Sequence, residues 1–123
     1  MTPNIAIWLN SYMADSESSV FRALADSTRR QILQDIGDGE LSAGEIAARF
    51  PIKGPSVSRH LSILKSAGLI AERRDGNRIM YSVAEDRLAV SVADFLCRVC
   101  PGAVIMRHVR EVRVVHDTAA DGR

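Results

Sequence analysis

The sequence predicts a mainly α-helical protein carrying one small β-hairpin, and three observations support this. Apolar residues recur at helical spacing through most of the chain. Ser42 and Glu45 have the spacing of a capping box, opening a short helix that a tight turn joins to a second helix. The period then changes to two short β-capable runs separated by Asp75-Gly76-Asn77. Two short helices around a tight turn make a helix-turn-helix, and a hairpin directly after the second helix adds a wing.

Each element has a local cause. In "TPNIAIWLNSYM", Ile5, Trp8, Leu9, Tyr12 and Met13 form a helical stripe, with Thr2 as N-cap and Pro3 at the first helical position. A second helix from about Ser16 offers Val20, Phe21 and Leu24 to a core. After a break at Asp26–Ser27, a third runs through Ile32, Leu33 and Ile36 until Gly37 and Gly39 stop it. The helix-turn-helix spans 41–67: Ile46, Ala47 and Phe50 face inward, "PIKG" turns, and Pro55 opens a helix burying Val57, Leu61 and Leu64. The wing spans 69–83, with strands Ile70–Arg74 and Arg78–Val83, because Gly76 and Asn77 tolerate positive φ. Another helix covers 85–100, Pro101-Gly102 ends it, and helical spacing resumes through Ile105, Val109 and Val112. A single domain over 1–116 and a disordered tail over 117–123 are expected.

Composition narrows the function. Hydrophobic residues make up 46% and charged residues 25%, as in a globular protein, and no apolar run has the length of a membrane span. Two cysteines cannot build a disulfide scaffold, and no signal peptide is evident, so a reducing cytoplasm is expected. The net charge of +1 is unevenly spread: residues 1–52 hold 4 Lys/Arg against 7 Asp/Glu, residues 53–81 hold 6 against 2, and residues 82–123 hold 6 against 6. The positive charge therefore collects on the second helix of the helix-turn-helix and on the hairpin. A local basic patch suits a polyanion such as double-stranded DNA.

The outward face of "PSVSRHLSILKS" fits the same partner. Ser56 and Ser62 are small enough to let a helix enter a major groove, and Arg59 can reach guanine O6 and N7 together. Ile63 could meet a thymine methyl or serve as a satellite core contact. Lys53, Lys65, Arg73, Arg74 and Arg78, the last three around Asn77, form a plausible phosphate-contacting set, though a lone arginine is often just a solvated charge. His60 lies at the border of the buried and open faces, able to donate to a phosphate or to bond within the domain.

On the helix over 85–100, Arg87, Ser91, Asp94 and Arg98 crowd into an arc of about 60°. Nearly all the rest is apolar, so the helix needs burial on two sides, which a second copy supplies most cheaply. Leu88, Val92, Phe95, Leu96 and Val99 are expected at this homodimer interface, with Trp8, Leu9 and Tyr12 from the N-terminal helix. Cys97 and Cys100 sit at i, i+3 on the apolar arc, where they act as small hydrophobes or as a sensor of oxidants or soft metals. No zinc-ligand spacing, phosphate loop, nucleophile elbow or H-E-x-x-H motif occurs, so neither a metal site, a cofactor nor catalysis is expected.

Four consecutive segments, "FRALADSTRRQIL", "LSAGEIAARF", "PSVSRHLSILKSAGLI" and "RRDGNRIMYSV", closely resemble the ArsR family of bacterial winged-helix repressors from about Phe21 to Val83. The resemblance implies a homodimer on an inverted-repeat operator, usually repressing its own operon. It also implies that Ser56, Ser58, Arg59 and His60 lie on the recognition helix and that Ile70 to Val83 forms the wing. Metal-sensing members carry a cysteine pair in the helix that here reads "LSAGEIAARF", or carboxylate and histidine ligands on the dimer helix. This sequence has neither and looks closest to the metal-independent, SdpR-like autorepressor branch, with its inducer unknown or absent. A typical family start would fall at Met13; the amphipathic stripe over residues 1–12 argues for a genuine helix at the dimer interface instead. Two other readings stand beside this one: a thiol-responsive repressor using Cys97 and Cys100, and a winged-helix protein-interaction module without an operator.

Overall fold

The computed structural model describes residues 18–121, with side chains as far as residue 112. The helix expected near the N-terminus, with Trp8, Leu9 and Tyr12, lies outside the described residues. The chain divides into two compact units, Met1–Leu88 and Ala89–Arg123, where one domain over 1–116 was expected. The physical reason lies in the helix Glu85–Val99, which buries none of its residues within the chain.

The first unit contains α1 (18–24), α2 (Ser27–Gly37), β1 (Leu41–Ser42), α3 (Ala43–Ala47), α4 (Gly54–Ser66), β2 (Ile70–Asp75) and β3 (Arg78–Val83). It also holds the first turn of α5 (Glu85–Val99). Asp26 is extended and caps α2, its carboxylate accepting the Arg29 backbone N–H at 3.1 Å. The capping box of α3 is formed in both directions: Ser42 Oγ accepts from the Glu45 N–H and Glu45 Oε1 from the Ser42 N–H, each at 3.2 Å. Such a cap matters most for a helix this short, which has few internal bonds of its own.

α4 starts at Gly54 with Pro55 in its first turn, as its missing N–H allows. It ends in a Schellman motif. Gly68, at φ +77°, donates to the Lys65 carbonyl at 2.9 Å, and Leu69 donates to the Leu64 carbonyl at 3.0 Å. That turn sends the chain directly into β2. Strands β2 and β3 pair antiparallel from Ile70 opposite Val83 to Asp75 opposite Arg78. Gly76 alone of the two turn residues has positive φ, +63°, the arrangement of a II′ hairpin.

The sheet has a third strand that the sequence did not reveal: β1 pairs with β3, Leu41 opposite Tyr81 and Ser42 opposite Met80. Two residues are too few to show a period, so β1 exists only because β3 presents an edge beside it. The core beneath holds Val20, Ile32, Ile46, Leu64 and Leu69 at 0% exposure. Each such side chain contributes about 1.5–3 kcal/mol of burial. Leu88, expected at the dimer interface, packs partly buried against this core within one chain.

In the second unit, the Pro101 carbonyl accepts the N–H groups of Val104 and Ile105 at 3.0 and 3.2 Å and opens α6 (Gly102–Asp121). The helix continues through most of the segment expected as a disordered tail. Thr118-Ala119-Ala120 contains no breaker, and the next glycine is Gly122. Val90, Val99, Met106, Val109 and Val112 remain more than half exposed on this unit, with Phe95 and Leu96 at 45% and 37%. Leu96, Val104, Ile105 and Val109 line an apolar cleft of about 290 Å³ that Cys100 and His108 also border.

Candidate nucleic-acid interface

Two opposed faces of α4 set the geometry of the site. Val57, Leu61 and Leu64 are 2%, 5% and 0% exposed and fix the helix to the core, leaving Ser56, Ser58, Arg59 and Ser62 exposed on the other side. Ile63 is half-buried and packs against the core, the satellite contact considered for it. Lys53 precedes the helix and is exposed.

His60 is held within the domain. Its Nδ1 lies 3.4 Å from Arg29 Nη1 and 3.9 Å from the Asp26 carboxylate, with the ring 19% exposed. The same guanidinium donates to the Ala23 carbonyl at 2.7 Å and the Arg22 carbonyl at 3.0 Å. Arg29 thus bonds two carbonyls at the end of α1, the Arg22 one shared with the Ala25 N–H, while touching α4. The Arg29 backbone N–H, followed by the guanidinium and His60, holds the Asp26 carboxyl below its ordinary value of 3.8.

The wing carries cations whose partners are far away in sequence. Arg73 forks onto Glu40, Nη2 to Oε1 at 2.9 Å and Nε to Oε2 at 3.1 Å. Arg78 reaches Glu45 Oε1 at 3.4 Å and Asp75 at 4.0 Å, while Lys65 meets Glu72 at 3.1 Å. The fork lowers Glu40 and raises Arg73; the Ser42 backbone bond lowers Glu45, helped by Arg78. Burial pushes the Tyr81 phenol up, aided by the Glu72 charge. Glu40, Glu45 and Glu72 therefore belong to the same surface. Nothing local in the sequence signals them, because two of these pairs span 33 residues.

Arg74, Lys53 and Arg59 are exposed and have no carboxylate partner among the described residues. Asn77 is exposed in the wing turn. This surface can place hydroxyls and one unpaired guanidinium on a protruding helix, with a further cation at the hairpin. Among the described residues, no three His, Cys, Asp or Glu side chains converge in a metal-holding group. Cys97 is an exposed thiol and Cys100 a half-buried one.

A helix-turn-helix domain model matches residues 24–73. The transcriptional repressor SdpR of Bacillus subtilis (strain 168) is 47% identical over 66 residues, 54% of this chain and 73% of that protein. A probable mercury resistance operon repressor of Streptomyces lividans is 44% identical over 75 residues, 61% of this chain and 60% of its own. A solved homodimeric winged helix-turn-helix DNA-binding domain from Mycobacterium bovis, described as a possible ArsR-family regulator, is 28% identical. It superposes with a TM-score of 0.61, covering 93% of this chain and 90% of its own.

Proposed function

The chain belongs to the ArsR family of winged-helix transcriptional repressors, and on that premise we propose that it acts as a homodimer on an inverted-repeat operator, repressing its own gene without a metal ion. The observation that carries this reading is the division of α4. Three buried apolar residues anchor it, and Ser56, Arg59 and Ser62 stay exposed on the opposite side, with Arg59 unpaired. An unpaired arginine between hydroxyls suits a guanine edge in the major groove. Recognition helices from two subunits would then enter successive grooves about one helical turn apart.

The cations of α4 and the wing divide their labour. Arg74 and Lys53 can meet a phosphate directly, whereas Arg73, Arg78 and Lys65 must first leave their carboxylates. Being exposed, those three pairs contribute little to stability, but they hold the wing in place and reduce its effective charge. His60 supports α4 through Arg29 rather than facing DNA. Arg59→Ala tests the face assignment: it should lose about 1–3 kcal/mol of discrimination between operator and shuffled sequence. Unaltered discrimination would remove Arg59 from base reading.

Dimerisation is supported by the apolar residues left exposed on α5 and α6, from Val90 to Val112. Metal independence is read from the sequence, in which "LSAGEIAARF" holds no cysteine and α5 no histidine, although one relative is named for mercury resistance. A second reading rests on the exposed Cys97 thiol three residues from Cys100. Titrating the operator complex with zinc, arsenite and a mild oxidant separates the two. The metal-independent reading predicts no release; release abolished by Cys97→Ser/Cys100→Ser would establish the thiol reading.

A further inference from the structure

The two flanks of α4 differ in a way that the helix-turn-helix and wing do not account for. On the wing side lies a notch lined by Ser58, Ser62 and Lys65, with Glu72 present and paired to that lysine at 3.1 Å. On the α1 side lies an open cleft of about 270 Å³ between α1 and α4. Its lining contains two arginines, Arg22 from α1 and Arg59 from α4, together with Ser19, Ser62 and Ser66, and no acidic residue among the described residues. Neither guanidinium has a carboxylate partner among the described residues. Both are exposed. Ile63 and Ala67 supply the apolar floor.

Two guanidiniums bordering one cleft repel each other, and a carboxylate would normally be recruited between them, as Glu40 is by Arg73. Leaving both unpaired costs little in water, but it makes the cleft ready for an anion with several acceptor oxygens. Phosphate has that chemistry: guanidinium groups and serine hydroxyls all donate to it. The cleft is also continuous with the outward stripe of α4, since Arg59 and Ser62 belong to both. A duplex lying on that stripe brings its backbone to the cleft's edge, and the half-buried Ile63 offers an apolar surface for a deoxyribose.

The geometry points to the α1–α4 cleft as a seat for a DNA backbone phosphate, with Arg22 as its phosphate-binding residue outside the helix-turn-helix and wing. The inference rests on the DNA-binding reading above and extends the protein's footprint past the recognition helix onto α1. Arg22 then contributes to binding any sequence, and contributes more than Arg73, which arrives already neutralised.

The test compares the full-length parent, Arg22→Gln, Arg22→Lys and Arg73→Gln on operator and shuffled duplexes between 50 and 200 mM salt. Arg22 is exposed and only its backbone carbonyl serves the fold, through Arg29, so the variants keep their structure. Losing one phosphate contact per subunit flattens the slope of log affinity against log salt by about 0.9, or about 1.8 per dimer. Over that salt range, Arg22→Gln affinity should fall about 12-fold less than the parent's, while its preference for operator is unchanged. Arg22→Lys should restore the slope, and Arg73→Gln should alter it less than Arg22→Gln. Parent-like slopes for Arg22→Gln, with the parent still selecting operator, would overturn the phosphate seat alone. Selective binding lost from the parent itself would overturn the DNA-binding reading with it. In a further arm, calorimetry with pyrophosphate, binding that Arg22→Gln abolishes without any change in DNA affinity would assign the cleft to a free anion and overturn the backbone contact.

Discussion

Arg29 Nη1 lies 3.4 Å from His60 Nδ1, joining residues 31 positions apart and tying the start of α2 to the recognition helix. Arginine can only donate, so in the neutral ring Nδ1 accepts and the ring proton sits on Nε2. The same side chain donates to two carbonyls at the end of α1. Arg29→Ala should therefore cost about 1–3 kcal/mol, chiefly by stranding the partly buried Ala23 carbonyl. His60→Ala should cost less, because it removes one long bond. Urea unfolding measures both; an Arg29→Ala midpoint equal to the parent's would mean that the helix junction is held by packing alone.

Acid should weaken the folded state modestly through identifiable carboxylates. Asp26, Glu40 and Glu45 all have folded-state pKa values below their ordinary 3.8–4.5. The folded state thus binds fewer protons than the unfolded chain in that range. The resulting stability is fully present above about pH 5 and is lost as pH falls through the lowered values. Asp26→Asn keeps an N-cap residue while removing one titrating group. Without the ionised carboxylate it should be less stable than the parent near neutrality and converge with it below pH 4, so that its urea midpoints decline less with acid; an identical acid decline would exclude Asp26 from the linkage.

Gly68 closes the recognition helix at φ +77°, a conformation that an L side chain adopts only with strain. A Cβ there would meet the Arg87 side chain no closer than 3.6 Å, so space is not the obstacle. Gly68→Ala should cost about 1–2 kcal/mol from backbone conformation alone. A lower urea midpoint with an unchanged m-value is the expected signature.

The exposed apolar residues of α5 set the prediction for assembly. Val99 is 66% exposed within one chain. If a second copy covers it, Val99→Asp would bury an unpaired carboxylate at about 3–5 kcal/mol, weakening the dimer roughly 10²–10⁴-fold. Sedimentation velocity should then show a monomer with parent-like helicity and much weaker operator binding. An unchanged dimer would move the interface away from Val99.

What could be read from the sequence was whatever depends on neighbours in the chain. The Ser42–Glu45 box, the Gly76 turn and the Val57–Leu61–Leu64 face are all set by residues within a few positions of one another. The pairs Arg73–Glu40, Arg78–Glu45 and Arg29–His60 were not legible, because each exists only once the fold brings distant segments together. This changes the site: three cations expected to meet phosphate are partnered, and His60 turns inward. β1 escaped notice for its brevity, and the far end of α6 because the tail was judged by its position rather than by its lack of a breaker.

The central claim, that the outward face of α4 reads DNA sequence, is tested most directly by equilibrium binding to a duplex from the gene's own upstream region and to a shuffled duplex of equal composition, at one salt concentration near 0.15 M. The account predicts a preference of about 10³-fold or more for the native sequence. Equal affinity for the two duplexes would contradict it.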